Sequence, residues 1–288
     1  EAAAGGDRTG TDFASAAPPC VIGDSKQVYR SHRGFPDLEH AAMTLLRWCG
    51  VETDTWRELL RRLDPAAFAD CIGLPWFADF HAKLPLSINE GVTADAVTRS
   101  ALAVRQIGDT SGVRLLDLRC RFLCEPRFNA LVREHESKGR LLSLQTLDLV
   151  CDLLNCHADG REGWVYCDKH GGRNRYSEAL YTSLAPDWIE ILHEGQEESR
   201  YRLGHPREKW EIRFTARADQ LLPVAASSLI AKYLRELAMR AMNAFWTARL
   251  PGLPPTAGYP QDAERMLQSI ADLRESLGIP TDWVRRLK

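Results

Sequence analysis

The chain has 288 residues, 44% of them hydrophobic and 26% charged, with a formal net charge of -2. That length can bury a large core as one long domain or two ordinary ones, and the composition is that of a soluble globular protein. The charge gives no global sign of nucleic-acid binding. No apolar run approaches the ~18 residues that span a bilayer and no secretory signal is visible, so a cytoplasmic protein is expected.

Residues 1–19 are small and polar without periodicity and read as a disordered linker, leaving 20–288 as the folded domain. Because the chain opens on Glu1 rather than Met, it is expected to be a fragment or a processed product. Asp24-Ser25-Lys26 precedes Leu38, Ala41, Ala42, Leu45 and Leu46, which recur at helical spacing. Residues 54–63 and 93–106 also read as helices, so 50–111 is expected to be a mainly helical insertion. Alternation over 113–124 predicts a strand. One long helix follows over 127–156, then a strand at 163–168, a helix over 176–183 and a strand at 187–193. Residues 199–217 read as a hairpin turning at Gly204-His205-Pro206. A strong amphipathic helix over 223–249, with Tyr233, Phe245 and Trp246 on its core face, and another over 260–277 make 223–288 a C-terminal helical part. Strands alternating with helices predict an α/β fold. The eight cysteines contain no C-x-x-C pair, so reduced core thiols are expected before zinc or disulfides.

Two acids carry the chemistry. Asp168 ends the apolar run Trp164-Val165-Tyr166-Cys167, and Asp219 precedes a helix that opens with small residues. Acids at the ends of neighbouring strands can share a pair of divalent metals, an arrangement used in phosphodiester hydrolysis, and oxygen ligands suit Mg²⁺ or Mn²⁺. The plainer reading is that each acid merely begins a turn. Lys169, His170, Arg173 and Arg175 crowd Asp168, either to hold a scissile phosphate or to neutralise the acid. Gly171-Gly172 forms either a close-approach turn or a simple one. In the hairpin, Arg200, Arg202, Arg207, Lys209, Arg213 and Arg217 outnumber Glu208 and Glu211, as a phosphate-facing ribbon or a solvated one. Glu194 and Glu198 read as solvent-facing.

Residues 218–236, A-D-Q-L-L-P-V-A-A-S-S-L-I-A-K-Y-L-R-E, resemble the ribonuclease HII segment in which an aspartate precedes A-A-S-x-x-A-K-x-x-R-D. Three further pieces follow the family's order. Asp24-Ser25-Lys26 resembles its D-S-K loop, Cys124-Glu-Pro-Arg-Phe-Asn129 its E-P…N helix entrance, and Thr256-Ala257-Gly258-Tyr259 its lysine-glycine-tyrosine-glycine turn. The chain is thus similar to a divergent type 2 ribonuclease H. The resemblance implies a ribonuclease H-like mixed sheet flanked by helices, with Asp168 and Asp219 as catalytic, metal-binding carboxylates. Lys26, Arg173, Ser228, Lys232 and Tyr259 would contact substrate, Tyr259 packing on the ribose at the RNA–DNA junction. The implied activity is metal-dependent cleavage of RNA in RNA–DNA hybrids or at embedded ribonucleotides, by a monomer. The family's first strand, with its Asp-Glu pair, is not found before the D-S-K loop, so the first two strands are expected to be missing and this chain alone inactive. The strand at 163–168 should then show a free edge. The alternatives are a non-catalytic nucleic-acid-binding protein on the same fold, or a related DNA nuclease.

Overall fold

A computed structural model describes residues 20–30, 33–158, 160–205 and 208–287. The expected linker over 1–19 and the hairpin-turn residues Pro206 and Arg207 lie outside them. The chain starts with helices: α1 (Ser25–Arg30), α2 (Phe35–Trp48), α3 (Trp56–Leu63), α4 (Pro65–Cys71), α5 (Pro75–Ala78), a 3-10 turn at Ile88–Glu90, and α6 (Ala94–Ser111). Side-chain caps define several starts, with Thr55, Asp64 and Thr93 accepting from the backbone N–H groups of Glu58, Ala67 and Ala96. After α7 (Glu125–His135) and α8 (Lys138–His157) come β1 (Gly163–Asp168), α9 (Ser177–Leu184), β2 (Trp188–Glu194), β3 (Glu198–His205) and β4 (Glu208–Thr215). A 3-10 turn at Ala218–Gln220 leads into α10 (Leu222–Arg249), and α11 (Pro260–Ser269), α12 (Ala271–Ser276) and α13 (Thr281–Val284) complete the described chain.

This is an α/β protein with one four-stranded mixed sheet, ordered β1-β4-β3-β2. Strand β1 runs parallel to β4, while β2, β3 and β4 form an antiparallel meander. Period-2 alternation sends Tyr201 and Leu203 of β3, and Ile212 and Phe214 of β4, to one face. There they meet Leu147 of α8, Tyr176, and Leu180 of α9 in the smaller core. The other face presents Trp164, which is 63% exposed, and Asp168. Gly163 begins β1 because a Cβ there would lie 2.2 Å from the Trp210 ring. With β4 on one side only, β1 is an edge strand among the described residues, which agrees with the free edge expected for 163–168.

The larger core is helical. Leu38, Ala41, Ala42, Leu45 and Leu46 of α2 pack with Trp56, Leu59, Trp76 and Phe77, and with Leu229, Leu237 and Trp246 of α10. The helices of 50–111 therefore help build the main core rather than decorate the sheet. Tyr233, Phe245 and Trp246 are buried in it, as the helical pattern predicts.

Three expected elements differ. Residues 113–124 form no strand: they are extended but join no ladder. Their alternation has another cause, because the segment is gripped from two sides. Leu118, Cys120 and Phe122 pack on the helical core, with Phe122 N–H donating to Asp64 Oδ2 at 2.8 Å. Asp117, Arg119 and Arg121 instead reach His157, Cys156 and Asp152 of α8. The long helix over 127–156 is broken where Glu136 adopts a left-handed conformation (φ 55°) and Ser137 caps α8 through Arg140 N–H. The helix over 260–277 likewise divides, at Ile270.

Candidate active site at the end of the sheet

Strand β1 delivers Asp168 opposite Thr215, the last residue of β4, and Lys169 N–H extends the ladder to Thr215 O at 3.2 Å. Beyond Thr215 the chain reverses through Arg217, which is left-handed (φ 57°), into the 3-10 turn. Buried Ala218 then donates its N–H to Asp168 Oδ1 at 3.4 Å. Asp219 is the next residue, so the two acids predicted from sequence stand at one corner of the sheet, directly before α10. Asp168 is exposed and Asp219 half-buried. Apart from the long Ala218 contact, their carboxylate oxygens have no hydrogen-bond or ion-pair partner among the described residues.

Free, hard oxygen donors of this kind fit Mg²⁺ or Mn²⁺, since Mg²⁺ is commonly held by one or two carboxylates with water and substrate phosphate completing the shell. Among the described residues no three His, Cys, Asp or Glu side chains gather in a metal-binding group. The corner therefore holds at most these two acids as candidate ligands among the described residues.

The cations after Asp168 serve the loop. Lys169 Nζ donates to four oxygens: Arg173 O (3.3 Å), Asn174 Oδ1 (3.0 Å), Gly195 O (2.5 Å) and Ser199 Oγ (3.1 Å). Desolvation lowers its pKa, while the charge of Glu197 opposes that shift. His170 N–H donates to the Tyr176 hydroxyl, Tyr176 N–H donates to the Tyr201 hydroxyl, and that hydroxyl donates to Glu194 Oε1 at 2.5 Å. Burial, with help from Arg173, pushes the His170 imidazole down to about 4, although Asp168 pulls the other way. A neutral, buried His170 is no phosphate clamp. Arg175 pairs with Glu194 at 3.7 Å, and Arg173 lies over the Tyr176 ring and lines a groove between α8 and α9 that Asp168 and Asp219 do not line. Gly171 takes a positive φ of 61° with open space about its Cβ position, so Gly171-Gly172 is a simple turn.

The other sequence-predicted contacts gather along α10. Ser25 of the D-S-K loop meets Ser228, Oγ to Oγ, at 2.7 Å. Lys26 is exposed, and its backbone N–H donates to Asp24 Oδ1. Lys232 lies over the Tyr29 ring at 4.2 Å and 3.9 Å from Glu236, which also accepts from the Tyr29 hydroxyl at 3.2 Å. Tyr259 is 64% exposed and flanked by Arg235, whose guanidinium is 5.7 Å from the ring centre. Ser25, Ser228, Lys232 and Tyr259 thus share one flank of α10. Arg235, the residue beside Tyr259, is about 20 Å along the helix axis from the start of α10 at the acid corner, at 1.5 Å per residue. The structure puts the turn that carries Asp219 against Asp168 at the start of α10, and gathers the other contacts further along the same helix.

Sequence reasoning missed the cavity beside the corner. It has a volume of about 550 Å³ and is lined by residues including Tyr166, Glu197, Arg213, Arg217, Ala218 and Gln220. Its only local sign in the sequence is the polar turn Thr215-Ala216-Arg217. Asn129, from the E-P…N entrance, has a structural task. It is fully buried and donates to Asp282 O and Arg285 O while accepting from Leu287 N–H, which anchors the C-terminal segment on α7. Set against family models, curated proteins and solved structures, the chain matches none of them. Among the described residues, no helix is long and apolar enough to cross a membrane.

Proposed function

We propose that this chain is a ribonuclease H-like, metal-dependent endoribonuclease acting on RNA–DNA hybrids or embedded ribonucleotides, with Asp168 and Asp219 as metal-binding carboxylates. The observation that supports the reading is the Ala218 N–H to Asp168 contact, which puts the backbone just before Asp219 against Asp168 at a sheet end, with both acids otherwise unpartnered among the described residues. Ser228 and Lys232 then extend along the same helix as contacts for a phosphate backbone, with Tyr259 further along as the ribose contact. Mg²⁺ or Mn²⁺ bound at the corner would activate water and stabilise the leaving 3′-oxygen. The chain's own part is to leave the acids open to substrate while the Lys169 network keeps the loop after β1 fixed.

A second reading is nucleic-acid binding without cleavage. It draws on the presence of only two acids at the corner, where a metal pair calls for further ligands. One assay separates them: incubate the protein with labelled RNA–DNA hybrid, with duplex carrying one ribonucleotide, and with plain DNA duplex, in Mg²⁺ or Mn²⁺. Cleavage confined to ribonucleotide-containing substrates, falling roughly a hundredfold or more in Asp168→Asn and Asp219→Asn, is the expected result. Binding without hydrolysis would favour the second reading. Cleavage of DNA alone would point to a DNA nuclease.

A further inference from the structure

Arg217 is the one cationic side chain lining the cavity beside the acid corner that has no ion pair among the described residues. Arg213 pairs with Glu211 at 2.7 Å, and Glu198 pairs with Arg200 at 3.1 Å. Glu197 acts on Lys169 at longer range. Arg217 is exposed and makes no ion pair or side-chain hydrogen bond among the described residues. It also holds a left-handed backbone, φ 57° and ψ 43°, a conformation that disfavours side chains beyond glycine. Glycine would make the turn more easily, yet an arginine stands there. Ala218 links the cavity to the acids, since it lines the cavity and its N–H is the donor to Asp168. Tyr166 forms part of the wall, with the Arg213 guanidinium 5.9 Å from its ring centre.

We infer that this cavity binds a phosphodiester of the nucleic-acid strand that faces Asp168 and Asp219, with Arg217 as the phosphate-positioning residue and Tyr166 as the packing surface for the adjoining sugar or base. The inference rests on the nucleic-acid reading of the corner. It adds a contact at the turn before α10, where Ala218 and Gln220 also line the cavity, beyond the contacts further along that helix.

The test uses the full chain and a fluorescent RNA–DNA hybrid, with binding measured in Ca²⁺ over a salt series. Arg217→Gly removes the charge while easing the turn, so its thermal midpoint should hold or rise. Its affinity should fall about five- to twentyfold, and the slope of log K against log salt should shrink by about 0.9, the loss of one phosphate contact. Arg217→Lys should recover most of the affinity, and Tyr166→Ala should weaken binding without changing the slope. Unchanged affinity and slope in Arg217→Gly would overturn the inference, even if Asp168→Asn abolished cleavage. Binding that depends on Arg217 without any hydrolysis would sustain the inference and sink the nuclease reading. Failure to bind hybrid at all would overturn both.

Discussion

Glu39 is fully buried in α2, with Oε1 accepting from Leu86 N–H (2.8 Å) and the Tyr233 hydroxyl (2.9 Å), and Oε2 from Ser87 N–H (2.7 Å). Three donors converge on one carboxylate, and burial with the Glu39 charge raises the Tyr233 phenol well above its ordinary range. Glu39→Ala would strand those donors and should cost about 2–3 kcal/mol, read as a lowered urea midpoint at unchanged slope. The sequence holds the clue, a lone acid between Leu38 and Ala41 on an apolar helix face, but the partners come from other elements and no local pattern reveals them. His170 gives a pH prediction. Ser143 Oγ donates its one proton to Gly139 O, so His170 Nδ1, 3.0 Å away, must donate to it. With the folded imidazole at about 4 and the ordinary value at 6.5, the unfolded chain takes up the proton first as pH falls. Stability is then whole above about pH 6.5 and is lost progressively towards pH 4, by up to about 3 kcal/mol. His170→Asn should flatten that acid limb, and identical limbs would refute the assignment. The residues around Asp168 teach the same lesson. Composition shows four bases beside an acid, but only geometry shows that Lys169 and His170 are occupied in bracing the loop.

Most elements follow from pattern and capping, and the misreadings share a cause. Apolar alternation over 113–124 is real, but period 2 reports an extended segment with two unlike sides and does not report whether a neighbour supplies ladder hydrogen bonds. Here the neighbours are a helical core and α8. Residues 133–140, R-E-H-E-S-K-G-R, carry no apolar side chain, so the break between α7 and α8 was legible in that gap and in Ser137, whose side chain caps α8. Glu136, with φ 55°, bears the cost of the reversal. Glu136→Gly should therefore leave stability unchanged or raise it by up to about 1 kcal/mol, because relief of the left-handed strain offsets the added unfolded-chain entropy. A clear loss of stability on thermal melting would mean that the side chain matters more than the backbone strain. The acid corner was readable for a simple reason. Asp168 and Asp219 each stand beside a strand end, and a parallel pair, β1 with β4, brings those ends to the same side of the sheet.

At the scale of the whole molecule there are two apolar cores, a large helical one through α2 and α10 and a smaller one between the sheet and α8 and α9. The acid corner lies where they adjoin, since β1 and the 3-10 turn belong to the sheet side and α10 carries its apolar face into the helical core. That division could not be read from composition, which assigns no residue to one core or the other. It has a measurable consequence, because regions with separate cores can open with separate free energies. Leu237 of α10 is fully buried in the helical core, so Leu237→Ala should cost about 3 kcal/mol there. Native-state hydrogen exchange should register that loss in the amides of α2 and α10, while those of β3 and β4 keep nearly their original protection. In the unaltered protein the sheet amides should exchange first, as the smaller core and the unpaired edge of β1 both favour opening there. Equal acceleration of sheet and helical amides by Leu237→Ala would show one cooperative unit. If the sheet opens first, the acid corner inherits that lower stability, and substrate or metal bound across Asp168 and Asp219 should slow exchange in β1 and β4 before it affects α2.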